Sequence, residues 1–255
     1  MAGVDPTNSA DDHLLARNLA QETGQLLVDL RSRLVAQGVA QIELKDQGDL
    51  AAHRHIIKTL TTERPDDAVL SEEGVDNTER LDAKRVWIVD PLDGTREFSE
   101  PPRIDWAVHI CLVVDGEPVV GAVCLPAEGI VLDTGRPATL PTPSSKAPRV
   151  IVSRTRRPAP AQRLAEELGA SYIEMGSAGA KAMAVVRGVA DIYAHSGGQY
   201  EWDSAAPVAV ARAAGLHTSR LDGSALEYNR QDPYLPDLLI CRPEWADQSL
   251  EILNR

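Results

Sequence analysis

The stretch VWIVDPLDGTREF, residues 86–98, joins an apolar run to two aspartates, a proline, a glycine and a threonine. Val86 to Val89 reads as a central strand, because four consecutive apolar residues offer no polar face to solvent. Asp90 and Asp93 then follow the strand's carboxyl end, where α/β proteins hold ligands. Pro91 fixes one backbone angle, and Gly94 lets the backbone come close to a ligand. Two carboxylates held this near repel each other unless a cation sits between them. A divalent metal meets that demand. Magnesium takes oxygen ligands and accepts a backbone carbonyl, here that of Leu92. Thr95 adds a hydroxyl able to orient water, and a helix starting at Gly94 would offer free amides to a phosphate. In isolation the same residues equally describe a surface turn with an aspartate capping a helix.

Upstream, LSEEG (70–74) puts Glu72 and Glu73 after the short apolar pair Val69-Leu70, and downstream Asp203 follows Trp202 in EWDSAAPVAVARAAG (201–215). Around these segments the pattern predicts a helix over 11–35, with leucines at 15, 19, 26, 30 and 34, a Ser9–Asp12 capping pair and a stop at Gly38. A second helix is expected from about Asp49 to Leu60. Strands at 106–114 and 117–124 are joined by Asp115-Gly116, a two-residue hairpin signal. Residues 135–149, GRPATLPTPSSKAPR, crowd proline, serine and threonine where apolar periodicity vanishes. That change marks a lobe boundary, dividing the chain into 1–145 and 146–255. The second lobe reads as strand 150–153, helix 159–168, strand 171–174, helix 178–188, strand 190–194 and helix 204–214, an α/β alternation.

With 255 residues, 43% hydrophobic and 25% charged, the chain can bury a substantial core. A net charge of -12 argues against nucleic acid and anionic membranes as partners. Cys111, Cys124 and Cys241 form no C-x-x-C pair and read as buried thiols. The amino terminus has no basic and apolar leader pattern, and no run approaches the roughly 18 apolar residues of a membrane span. These features together predict a cytoplasmic protein.

Glu-Glu, then DPLDGT, then WDSAAP, in that order and at these intervals, resembles the inositol monophosphatase superfamily of metal-dependent phosphatases. The resemblance implies a layered α/β/α/β/α sandwich, a homodimer, inhibition by lithium and two or three Mg²⁺ ions. It assigns Glu72, Asp90, Asp93, Asp203 and the Leu92 carbonyl as metal ligands, with Glu72 preferred to Glu73 and Asp90 bridging two sites. Thr95 would pair with an upstream aspartate to activate water, Asp49 being the choice and Asp46 the alternative. The family usually has a longer K-x-D-rich loop at that point. Here only KDQGD (45–49) stands there, which predicts a shorter, more open loop. The family's aromatic and glycine-rich hairpin after 117–124 is also reduced, to PAEGIVLDTGRPATL.

For the substrate, EMGSAGAK (174–181) follows a strand and opens a helix, with Ser177 and Lys181 four residues apart on one face. This segment resembles that of the 3'(2'),5'-bisphosphate nucleotidases, which remove the 3'-phosphate of adenosine 3',5'-bisphosphate (PAP). VSRTRRP (152–158) is similar to their S-R-S-H segment, with Arg156 in place of histidine. The expected substrate is small and phosphorylated, with Gly94, Thr95 and Ser177 among the residues that hold it. Arg154, Arg156 and Lys181 form a local positive cluster that either holds a second phosphate or is a solvated basic loop, and Glu201 either contacts a ribose or inositol hydroxyl or is an exposed glutamate. Two alternatives share the scaffold: a phosphatase for inositol 1-phosphate or fructose 1,6-bisphosphate, and a non-catalytic sensor of metal or nucleotide.

Overall fold

The computed structural model describes the backbone of residues 6–142 and 147–255 and the side chains of 10–142 and 147–255. Helices α1 (Pro6–Ala36) and α2 (Gln41–Glu63) precede the first sheet. That sheet has the order β1 (Ala68–Ser71), β2 (Arg85–Asp93), β3 (Ala107–Val114), β4 (Glu117–Leu125), β5 (Ile130–Asp133), with β1 parallel to β2 and the rest antiparallel. A single helical turn, α3 (Thr95–Phe98), follows β2. Next in the chain come β6 (Arg149–Ser153), α4 (Ala159–Leu168), β7 (Ser171–Met175) and α5 (Ala178–Val186). They are followed by β8 (Ile192–Tyr200), α6 (Glu201–Ala213), β9 (His217–Ser219), β10 (Tyr234–Cys241) and α7 (Pro243–Leu253). The second sheet has the order β7-β6-β8-β10-β9.

Three apolar clusters show how the layers stack. Trp87, Val89, Val108, Ile110 and Leu112 pack on α1 and α2. The opposite face of the first sheet, with Val86, Ile88, Cys111 and Val113, packs on α5, α6 and the inner face of the second sheet. Val150, Val152, Ile192 and Leu239 turn outward to α4 and α7. The result is an α/β/α/β/α sandwich, as the family resemblance implies. β2 is buried on both faces, which explains its unbroken apolar run. The central helices are rich in alanine because sheets close on both sides. A Cβ on Gly121 of β4 would sit 2.7 Å from Ala209 of α6.

Several expectations need correction. The first helix begins at Pro6, so Ser9 lies within it rather than capping it, and the Ser9 side chain is outside the described residues. Asp12 accepts instead from Arg64 at 2.7 Å and Arg85 at 2.9 Å, tying α1 to α2 and β2. The KDQGD segment is no loop. It lies within the continuous helix α2, so Asp49 stands mid-helix. PAEGIVLDTGRPATL holds a short 3-10 turn and the edge strand β5. β8 runs on to Tyr200 and α6 starts three residues before the expected helix, while β9, β10 and α7 have no counterpart among the expected elements. The three cysteines are free and buried. The first sheet ends at Asp133 and the second begins at Arg149, but the expected boundary at 145/146 lies outside the described residues. Among the described residues no helix is long and apolar enough to cross a membrane.

Candidate metal centre and catalytic site

The site begins with an irregularity in β2. Asp90 pairs with His109 and Asp93 with Ala107 across the β2–β3 ladder, so three steps on one strand match two on the other. In a regular strand, residues three apart point to opposite faces. The extra residue is a bulge, and it returns Asp93 to the face that Asp90 already occupies. Pro91 fits here because it has no amide to withdraw from the ladder. The shared face is the one covered by α5 and α6, which brings Asp203 of α6 into range. Gly94 follows with φ 86°, and a Cβ there would stand 3.0 Å from Ser177, so turn and contact both demand glycine.

Four carboxylates converge with few donors. Asp90 is buried and accepts the Leu92 amide at 3.1 Å. Burial, then the charges of Glu72, Asp93 and Asp203, push its carboxyl well above the usual range. Burial followed by Asp93 raises Asp203 to about 7, against one hydrogen bond from the Tyr200 amide at 2.7 Å. Glu72 keeps an open side to solvent, yet desolvation on its packed side, with Asp93, Glu73 and Asp49 nearby, raises it to about 7 despite a hydrogen bond shared with Asp90. Asp49 is raised to about 7 by burial and by Glu73. Among the described residues no arginine or lysine pairs with any of these four; the nearest basic group to Asp90 is the His109 imidazole, at 3.9 Å.

Asp93 differs. Its Oδ2 accepts from the Ser177 hydroxyl at 2.5 Å and the Gly179 amide at 2.6 Å, and its Oδ1 from the Ala178 amide at 3.1 Å. The Nε2 of His109 lies 3.2 Å away. Burial would raise Asp93, but His109, Ser177 and the charge of Lys181 hold it down to about 2.

The Thr95 hydroxyl is 3.3 Å from Asp49 Oδ1 and 3.1 Å from the Leu92 carbonyl. Asp46 is one helical turn away and exposed, and shares with Asp49 a cavity of about 300 Å³ lined also by Leu50, His53 and Glu73. Asp49 reaches Thr95; no such bond joins Asp46 to Thr95 among the described residues.

The geometry supports an oxygen-ligand metal centre. Crowded, desolvated carboxylates without arginine or lysine partners call for a cation between them. Asp90, Asp93 and His109 also lie close enough to hold one ion together.

Comparison with known proteins agrees with this arrangement. Residues 14–253 match the Inositol monophosphatase family. The chain belongs to that family. It is 50% identical over 234 residues to the 3'-phosphoadenosine 5'-phosphate phosphatase of Mycobacterium bovis, covering 88% of this chain and 86% of that one. It is 32% identical over 198 residues to the 3'(2'),5'-bisphosphate nucleotidase CysQ of Escherichia coli, covering 73% and 80%. Among solved structures, CysQ from Bacteroides thetaiotaomicron superposes with a TM-score of 0.77 at 23% identity, over 92% of this chain and 97% of that one.

The residues expected to hold substrate sit less openly than the sequence implies. Glu201 is buried and accepts the amides of Asn229 at 2.7 Å and Arg230 at 2.9 Å, so it clasps a loop rather than facing a sugar. Arg154 donates to Glu97 and Glu100, both at 2.7 Å, which neutralises it. Ser177 spends its proton on Asp93. Lys181 is buried, with its ammonium on the carbonyls of Ser177 and Gly176. Arg156 remains exposed, with one bond at 2.7 Å to the Gly197 carbonyl. His109 is a residue of the site that the sequence motifs do not point to. The signal lay in the strand AVHICLVV, where a lone imidazole on the inner face has no water to meet. It donates from Nδ1 to the Trp202 carbonyl at 3.0 Å.

Proposed function

We propose that this protein is a magnesium-dependent phosphomonoesterase that releases the 3'-phosphate of PAP as inorganic phosphate, leaving AMP. The observation that carries the reading is the convergence of Glu72, Asp90 and Asp203, with no arginine or lysine partner among the described residues, beside a threonine bonded to Asp49. Identity of 50% to a 3'-phosphoadenosine 5'-phosphate phosphatase over most of both chains supports PAP as the ester.

Glu72, Asp90, Asp93, Asp203 and the Leu92 carbonyl would hold two or three Mg²⁺ ions, Asp90 being shared. Bound there, the ions supply Lewis-acid stabilisation of phosphoryl charge and a more acidic water. The rest falls to the chain. Thr95 orients the attacking water through its hydroxyl, and the Asp49 carboxylate bonded to that hydroxyl receives the proton. Attack on phosphorus forms the new P–O bond as the bond to the ribose 3'-oxygen breaks; that oxygen takes a proton from a solvent water, and Asp49 returns its own proton to solvent. The amides of Gly94 and Thr95 cradle the scissile phosphate, and Arg156, exposed with one bond to a backbone carbonyl, meets the 5'-phosphate.

The test compares kcat/KM for PAP, inositol 1-phosphate and fructose 1,6-bisphosphate on one preparation with Mg²⁺. PAP is expected to lead. A preference for inositol 1-phosphate would replace the nucleotide reading with a sugar phosphatase. Absence of phosphate release from all three would favour a sensor.

A further inference from the structure

α5 lies between the two sheets with all nine residues buried, and it carries one charged residue, Lys181. The ammonium donates to the Ser177 carbonyl at 2.5 Å and stands 3.3 Å from the Gly176 carbonyl. It also lies 5.5 Å from the centre of the Tyr193 ring. An ammonium has three N–H bonds. Two carbonyls and an aromatic face account for them, so none is left for a phosphate.

What those bonds hold is unusual. Ser177 has φ 50°, a backbone conformation that costs any residue but glycine. In that conformation its hydroxyl and the amides of Ala178 and Gly179 all point at Asp93. The turn is therefore gripped from two sides, by the Asp93 carboxylate on one and by the Lys181 ammonium on the other. Burial holds the Lys181 ammonium below its usual range, and the carboxylates around it (Asp93, Glu97, Asp203 and Asp105) offset part of that cost.

We propose that Lys181 is a positioning residue that holds the 176–177 turn in its strained form, so that three donors fix the orientation of Asp93, and that it does not touch the substrate. The proposal rests on the reading of the site as a phosphatase metal centre.

Three measurements test it. Brief treatment of the wild-type protein with an amine-acetylating reagent, followed by peptide mass spectrometry, should modify exposed Lys58 and Lys84 and leave Lys181 untouched. Acetylation of Lys181 that PAP protects would overturn the proposal. Lys181→Met should lower kcat about tenfold or more while KM for PAP changes by less than about threefold. The loss should be equal for PAP and inositol 1-phosphate, with weaker Mn²⁺ binding by EPR, because Asp93 serves every ester. A selective rise in KM for PAP would show a substrate contact instead. Finally, glycine accepts positive φ unaided, so in a Ser177→Gly background the Lys181→Met loss should shrink. An undiminished loss would refute action through the turn. If the wild type cleaves no ester, the phosphatase reading fails, while acetylation and Mn²⁺ titration still decide the role of Lys181.

Discussion

On the side of the site built from the first half of the chain, Asp49, Glu72 and Asp90 carry more negative charge than their protein neighbours neutralise, and all three are pushed upward in pKa. On the side built from the second half of the chain, Ser177, Lys181, Glu201 and Arg154 have protein partners at 2.5–2.9 Å. The first set is poised for ligands that bring positive charge. The second set is a frame. Asp93 belongs to the first by sequence and is fastened to the second by three hydrogen bonds, which makes it the join between them. The contrast teaches that a polar residue beside a motif is a ligand candidate only if the fold leaves it unpaired, since a buried group already bonded gives up those bonds to serve another partner.

The largest test of the comparison is Asp90→Asn. Phosphate release from PAP should disappear, while circular dichroism shows the fold intact and the metal-free protein melts no lower than wild type, since a buried repulsion has been removed. Retained turnover would mean that the crowded side is not the reaction centre. Next, Asp49→Asn should lower kcat by about 10²–10⁴-fold, the span of a lost general base, whereas Asp46→Asn should stay within about threefold of wild type. Steady-state rates on PAP separate the two. Equal losses would dissolve the distinction drawn by the Thr95 bond.

Smaller in size, Arg156→Ala should raise KM for PAP about tenfold, as expected for one charge-assisted hydrogen bond, and leave inositol 1-phosphate unaffected. An equal change on both esters would remove Arg156 from the substrate. The pH dependence of stability sharpens the contrast in another way. Asp49, Glu72 and Asp203 hold their protons up to about pH 7 in the folded metal-free chain, above the range of an unfolded carboxylate. Their contribution is present below about pH 4 and is lost as pH rises through 7, because the folded state binds more protons over that interval. Thermal unfolding without metal should therefore show a falling midpoint from pH 5 to 8, which Mg²⁺ restores. A flat profile in EDTA would mean that these carboxylates do not repel. The least effect on catalysis belongs to Glu201→Gln, which should cost about 1.5–3 kcal/mol in urea unfolding by weakening two charge-assisted bonds. It should leave the ratio of kcat/KM values for PAP and inositol 1-phosphate unchanged, and a shifted ratio would restore Glu201 to the substrate.

The hairpin at Asp115-Gly116 was legible because the positive φ angles of both residues, 50° and 83°, are local demands that this dipeptide meets. α4 was placed at its observed ends because proline before it and Gly169 after it punctuate the chain. α2 was cut short because polar KDQGD looks like a loop, yet Leu44, Gly48 and Ala52 share a buried face that only the neighbouring sheet makes necessary. β10 was missed because proline and aspartate interrupt its apolar pattern, and a bulge between Leu235 and Asp237 absorbs the irregularity.

By itself the sequence determined the central strand and the α/β alternation of the second half, since apolar runs and turn residues carry their physical demands locally; the layered sandwich and the set of acidic residues that gather at one end of β2 followed from the resemblance of its motifs to a known family. Tertiary structure decided everything that depends on who stands opposite. A one-residue bulge set Asp90 and Asp93 on one face, His109 entered behind them from β3, and α5 closed over Asp93. Lys181 and Glu201 were turned inward in the same way, because whether a charge meets solvent or a carbonyl is fixed by packing between layers far apart in the chain.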